Sequence, residues 1–214
     1  MKKNYKLELK KFLELIKDVK GDILEIGTHT GNTTEIFCEF IIENNLDKKV
    51  YTVDTFKGYM EEDITSPILE NNHKIEYDPI HNKRAKSHVS SKRWNNTSKS
   101  QVIDRLFKYK DILTVWEGDS KKVIPEFIQS KHLSQISLLF VDCNLYLPSI
   151  NSIKDVYPLM PSKSIIAIDE HWLEFYKKHG GESKALFEFG ESINNKPILY
   201  GKKPISPSYY IMKK

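Results

Sequence analysis

The sequence predicts a single α/β domain with a mostly parallel, Rossmann-like sheet of seven strands and helices on both faces. Two observations carry that expectation. Short apolar runs alternate with stretches of helical periodicity, which is the pattern of strand–helix–strand units. The last two runs flank a Gly/Pro turn, so the sheet should end in an antiparallel hairpin.

Leu9, Phe12, Leu13 and Ile16 recur at helical spacing and predict an amphipathic helix over 5–19, stopped by Gly21. Asp22–Ile26 reads as a short buried strand. A helical pattern then runs through Phe40, Ile41 and Ile42. Val50–Asp54 is the second strand, 112–116 the third, Ile136–Val141 the fourth and 164–168 the fifth. Helical patterns fall between and after them, around 120–129, 149–158 and 182–193. The closing hairpin is expected over 197–200 and 208–212.

At 214 residues the chain suits one domain, 1–214, and is short for two. Hydrophobic residues are 39% and charged residues 29%, the balance of a soluble globular protein. The N-terminal stretch lacks the apolar core of a signal peptide, and no run is apolar for long enough to span a bilayer. Cys38 and Cys143 fall in predicted core elements without a CxxC partner, which argues against a disulfide framework or zinc site and for a cytoplasmic setting.

One segment breaks the alternation. Residues 58–98 are polar and poorly periodic, and a loop of that length reads as a lid. Across 71–110, basic residues outnumber acidic ones ten to three, so the mild net charge of +4 is concentrated there. A positive lid favours an anionic small molecule; a solvated surface loop is the plainer alternative. Nucleic acid is not expected, because there is no aromatic-rich stacking platform.

Glu25-Ile-Gly-Thr-His-Thr-Gly31 follows the first strand and opens a helix. Gly27 and Gly31 let the backbone turn tightly beneath a ligand. The spacing is G-x-x-x-G and not the G-x-G-x-x-G of a dinucleotide site, which disfavours a nicotinamide dehydrogenase. Glu25 suits a cationic amino-acid group. Asp54, ending the second strand, can accept from both ribose hydroxyls or act as a turn aspartate. Asp119, in Gly118-Asp-Ser120 after the third strand, can bind an adenine amino group or cap the next helix. Polar groups at successive strand C-termini lie where open α/β sheets bind ligands.

Val141-Asp-Cys-Asn144 ends the fourth strand and Ile168-Asp-Glu-His171 the fifth. If those strands are neighbours, Asp142, Asp169 and Glu170 converge, and three hard carboxylates suit Mg²⁺ or another divalent cation. The alternative is that they are ordinary strand-end aspartates.

These segments, with Val53-Asp-Thr-Phe-Lys-Gly58, Glu117-Gly-Asp-Ser120 and Phe140-Val-Asp-Cys-Asn-Leu-Tyr146, resemble the macrocin O-methyltransferase family in order and spacing over roughly 20–195, the insertion apart. The resemblance implies a class I methyltransferase fold, S-adenosylmethionine as donor, Mg²⁺, and a sugar hydroxyl on a small molecule as acceptor. It places Glu25, Gly27, Thr28 and Gly31 at the methionine end, Asp54 and Thr55 at the ribose, and Asp119 with Ser120 at the adenine. Where the family carries Asp-x-Asp, with the second aspartate as general base, this chain has Asp142-Cys-Asn144. An amide accepts no proton, so the base must be sought elsewhere, and His171 is a candidate, a solvent-facing or helix-capping histidine being the alternative. Asn144 equally suits a methyltransferase-like fold that has become a binding protein. The expected partners are the acceptor, an anionic or nucleotide-linked sugar among the choices, and a second copy of the chain, but no membrane.

Overall fold

In the computed structural model, the described residues are 3–60, 62–65, 68–70, 73–75, 94–169, 181–200 and 207–214. Strands β1 (Asp22–Ile26), β2 (Val50–Asp54), β5 (Leu113–Glu117), β6 (Ile136–Val141) and β7 (Ile165–Ile168) run parallel. A hairpin completes the sheet. β9 (Tyr209–Met212) inserts antiparallel between β7 and β8 (Ile198–Leu199), so the order is β5-β2-β1-β6-β7-β9-β8. Seven strands and an antiparallel end match the expectation.

The apolar runs explain the layering. β6 and β7 are buried along their whole length, as a sheet covered on both faces requires. Successive side chains point to opposite faces. Leu24, Ile26, Leu139 and Val141 pack with α5 (Ser120–Gln129), α6 (Tyr146–Val156) and α7 (Gly181–Ser192). Ile23, Leu138 and Phe140 pack with α1 (Lys3–Leu13), α2 (Asn32–Glu43) and α4 (Lys99–Arg105). On that second face Phe12, Phe37 and Phe40 are fully or almost fully buried, each worth about 1.5–3 kcal/mol by the area it removes from water.

Several elements differ from the sequence expectation. The first helix ends at Leu13 and tightens into a 3₁₀ turn over Glu14–Ile16. α6 starts three residues earlier than its apolar pattern suggests. Helix α4 was not expected. It is capped by Ser98, whose hydroxyl accepts from the Gln101 amide, and buries only Val102. The 58–98 segment also carries regular structure, a short helix α3 (Glu62–Thr65) and an antiparallel pair, β3 (Ile68–Glu70) with β4 (His73–Ile75). Its basic residues at 83–93 lie outside the described residues. Among the described residues no helix is long and apolar enough to cross a membrane.

Candidate active site

The C-terminal ends of β1, β2, β5, β6 and β7 open on one cleft of about 320 Å³. Gly27, Thr28, Asp54, Thr55, Asp119, Ser120, Asp142, Asn144 and Asp169, all expected from sequence, line it. So does Cys143, which sits beyond the end of β6 and not within the strand. The structure therefore brings the glycine turn and two of the three expected metal ligands to one place. Glu170 and His171 lie outside the described residues.

The β1–α2 turn is fixed by its neighbours. Gly27 has φ +99°, and a Cβ there would sit 1.9 Å from the Asp142 carbonyl oxygen. Its glycine is thus required by the end of β6. Gly31, φ +76°, opens α2, and a Cβ would press to 2.9 Å from Leu106 Cδ1. It answers to the packing of α4 and does not line the cleft. Asp54 ties the turn to β2. Oδ2 accepts from the His29 amide at 2.7 Å and Oδ1 from the Phe56 amide at 2.8 Å. Each oxygen keeps a second lone pair, so turn aspartate and ribose acceptor are compatible roles. Thr55 donates to the Gly58 carbonyl at 2.7 Å and shapes the next bend.

Glu25 lies elsewhere than its expected place at the ligand. It is wholly buried on the α2 side of the sheet and does not line the cleft. Oε2 accepts from Thr34 Oγ1 at 2.5 Å and Thr52 Oγ1 at 2.8 Å, while Oε1 has no hydrogen-bond partner. Burial, against these two hydroxyls and with Asp54 and Asp169 adding like charge, pushes its pKa up to about 8. Thr28 reaches this group through Thr52, oxygen to oxygen at 2.5 Å.

Asp119 caps α5, its Oδ1 accepting from the Lys121 amide at 3.0 Å. Its Oδ2 is buried with no partner among the described residues. The helix-cap reading is observed, and one carboxylate oxygen is left unsatisfied beside the cleft.

Asp142 and Asp169 are set by the sheet. The Asp142 amide donates to the Ile26 carbonyl at 2.8 Å and the Asp169 amide to the Val141 carbonyl at 3.1 Å. Tyr5 of α1 reaches Thr33 Oγ1 at 3.1 Å and donates to Asp169 Oδ1 at 3.5 Å. Asn144 adopts φ +60°, a left-handed conformation that asparagine tolerates. Sequence reasoning missed what holds it. The buried carboxylate of Glu182, on α7, accepts the amides of Cys143 at 3.1 Å and Asn144 at 3.0 Å. No local pattern signals a partner 38 residues away. Among the described residues no three His, Cys, Asp or Glu side chains cluster to hold a metal. Asp142 and Asp169, with the Asn144 amide carbonyl, still supply hard oxygens of the type Mg²⁺ takes.

The two ends of the insertion meet the cleft. Tyr59 packs on Leu145, and its hydroxyl is held well above the usual tyrosine range by burial. Trp94 stands edge-to-face on His29, ring centroids 5.0 Å apart, and His29 Nε2 is 2.8 Å from Asn96 Oδ1. Both aromatic side chains line the cleft together with Asp142 and Asp169.

A family model described as a methyltransferase domain matches residues 24–171. The chain belongs to that family. The methyltransferase domain spans every strand-end residue discussed above, and the class I fold and the assignment as an S-adenosylmethionine-dependent methyltransferase are borne out. No curated protein matches. Among solved structures, the O-methyltransferase NovP is 14% identical with a TM-score of 0.71, over 97% of this chain and 80% of its own. CalS11, a calicheamicin methyltransferase, is 17% identical with a TM-score of 0.62, over 97% and 77%. An rRNA methylase from Streptococcus thermophilus is 13% identical with a TM-score of 0.53, over 100% and 98%. At these identities the likeness is one of fold.

Proposed function

We propose that this methyltransferase transfers the methyl group of S-adenosylmethionine to a hydroxyl of a sugar or a glycosylated or phosphorylated small molecule, as a relative of the macrocin O-methyltransferases. The observation that carries the reading is the single cleft lined at once by Gly27, Asp54 and Asp119 and by Asp142, Asn144 and Asp169. The first three suit the methionine end, ribose and adenine of the donor; Thr28, Thr55 and Ser120 support them. Glu25 acts from below the turn. The second three face the acceptor.

In this reading the chain mainly aligns donor and acceptor for in-line displacement. The acceptor oxygen gains the methyl group, the sulfonium becomes a thioether, and the hydroxyl proton leaves. Asp142, Asp169 and the Asn144 carbonyl are the groups to hold a divalent cation, with Glu170 as the further ligand the sequence offers. Such a cation would lower the pKa of the hydroxyl. Asn144 cannot take the proton, and His171 is the candidate base. Tyr59 and Trp94 offer apolar faces to the ring of the acceptor. CalS11 is a TDP-rhamnose 3'-O-methyltransferase, and an anionic nucleotide-linked sugar also suits the basic insertion here.

The test is formation of S-adenosylhomocysteine from S-adenosylmethionine with a panel of nucleotide-linked and free sugars, with Mg²⁺ and with EDTA. Turnover of a charged sugar, lost in EDTA and restored by Mg²⁺, is expected. Full turnover in EDTA would overturn the metal. Donor binding without turnover of any acceptor would favour the binding-protein reading, for which Asn144 is the motivating feature.

A further inference from the structure

Lys121, near the start of α5, reaches two carboxylates from different parts of the chain. Its Nζ lies 2.5 Å from Asp63 Oδ1, on α3 of the insertion, and 3.0 Å from Asp119 Oδ1. Glu62 Oε1 stands further off at 3.8 Å. The bridge is sheltered, with side-chain exposures of 17% for Lys121, 8% for Asp119 and 4% for Asp63. Burial raises the Asp63 carboxyl, and Lys121 pulls it back only in part. Burial works to lower the Lys121 ammonium, but its bonds to Asp63 and Asp119 outweigh it and leave it raised. An ion pair this far from water fixes geometry, because losing one partner strands the others.

Asp63 and Asp119 both line the cleft, whereas Lys121 does not. Lys121 also satisfies one oxygen of Asp119 only: its amide and its ammonium both go to Oδ1. Oδ2 is left buried and without a partner among the described residues. A carboxylate oxygen in that position accepts hydrogen bonds and donates none.

We propose that Lys121 is a positioning residue of the donor subsite: by bridging Asp63 to Asp119 Oδ1 it pins the start of the insertion over the purine and leaves the buried Asp119 Oδ2 unclaimed, as an acceptor that selects a 6-amino over a 6-oxo purine. The inference rests on the S-adenosylmethionine reading above. A 6-amino group donates to Oδ2. A 6-oxo group sets its own lone pairs against that oxygen and leaves both buried and unpaired, the kind of mismatch by which polar sites reject analogues.

Calorimetry with S-adenosylhomocysteine and its inosine counterpart tests this on the full chain. The wild type should prefer the adenosyl compound by about tenfold or more, the scale of one charge-assisted hydrogen bond. Lys121→Ala should weaken adenosyl binding by about tenfold and shrink the preference to within about threefold. Lys121→Arg, whose forked guanidinium reaches both carboxylates, should restore most of it. In Asp63→Asn the ammonium shifts onto Asp119 and competes for Oδ2, so the preference should shrink there too. That variant decides the matter if Lys121→Ala does not fold, which circular dichroism reports. An unchanged preference in Lys121→Ala and Asp63→Asn would overturn the proposal, including the case where both affinities fall in parallel from a general loosening. Failure of the wild type to bind either compound is a separate result. It would sink the donor reading itself and this inference with it.

Discussion

Replacing Glu25 by glutamine should flatten the pH dependence of stability between about pH 4.5 and 8. The carboxyl is wholly buried, has one oxygen unpartnered, and has a pKa raised from 4.5 to about 8. Below pH 4.5 it is protonated both folded and unfolded. Between 4.5 and 8 the folded protein holds a proton that the unfolded chain has released. Stability therefore falls as pH rises, at up to about 1.4 kcal/mol per pH unit. Across the window that amounts to about 4–5 kcal/mol, taking about 1.4 kcal/mol for each unit of displacement. Above pH 8 the slope from this group vanishes. Glutamine keeps a carbonyl to accept from Thr34 and Thr52 and carries no proton to release. The assay is urea denaturation of both proteins at several values from pH 5 to 9. Asp22, Asp63 and Asp155 are also raised by burial, so the difference between the two profiles is the quantity to read. Parallel profiles from pH 5 to 8 would refute the reasoning and mean that Glu25 finds a cation or water when folded.

Gly27→Ala should cost about 3–5 kcal/mol, combining a left-handed backbone with a backbone collision at Asp142, and should lower Tm by roughly 8–15 °C in a thermal scan. Asp54→Ala frees the amides of His29 and Phe56, and donor affinity by calorimetry should fall by about 1–3 kcal/mol. Glu182→Ala leaves two half-buried amides without their acceptor and should cost about 1–3 kcal/mol in urea denaturation, while Glu182→Gln, which keeps an acceptor oxygen, should retain most of that stability.

The parallel strands were legible because each is a short apolar run that ends in or runs into a glycine or an acidic residue, and in a parallel sheet both the core and the ligand side depend on those runs. Helix α4 was not, because Val102 is its only buried residue and one contact makes no periodicity. The site residues at strand ends were legible by position alone. Their supports were not, since Glu182 and Tyr5 reach Asn144 and Asp169 through tertiary contacts that leave no trace in spacing. Glu25 was misread for a related reason. In a strand buried on both sides, alternation does not say whether a side chain meets ligand or core, and here it points with Ile23 toward α2. Gly27 was legible as a glycine that matters, but the group excluding a side chain there is a carbonyl and not a ligand.

Strand β1 has β2 on one side and β6 on the other, and the two flanks meet where Gly27 passes the Asp142 carbonyl. On the functional reading above, one flank grips the donor and the other presents the acceptor. Evolution can then revise them separately. The segment after β6 can accumulate changes and take up a new substrate while the grip on a shared cosubstrate stays intact, provided the one seam at Gly27 is left alone. The same division guides engineering. Libraries directed at 143–148 and at Tyr59 and Trp94 should yield altered acceptor range far more often than lost donor binding.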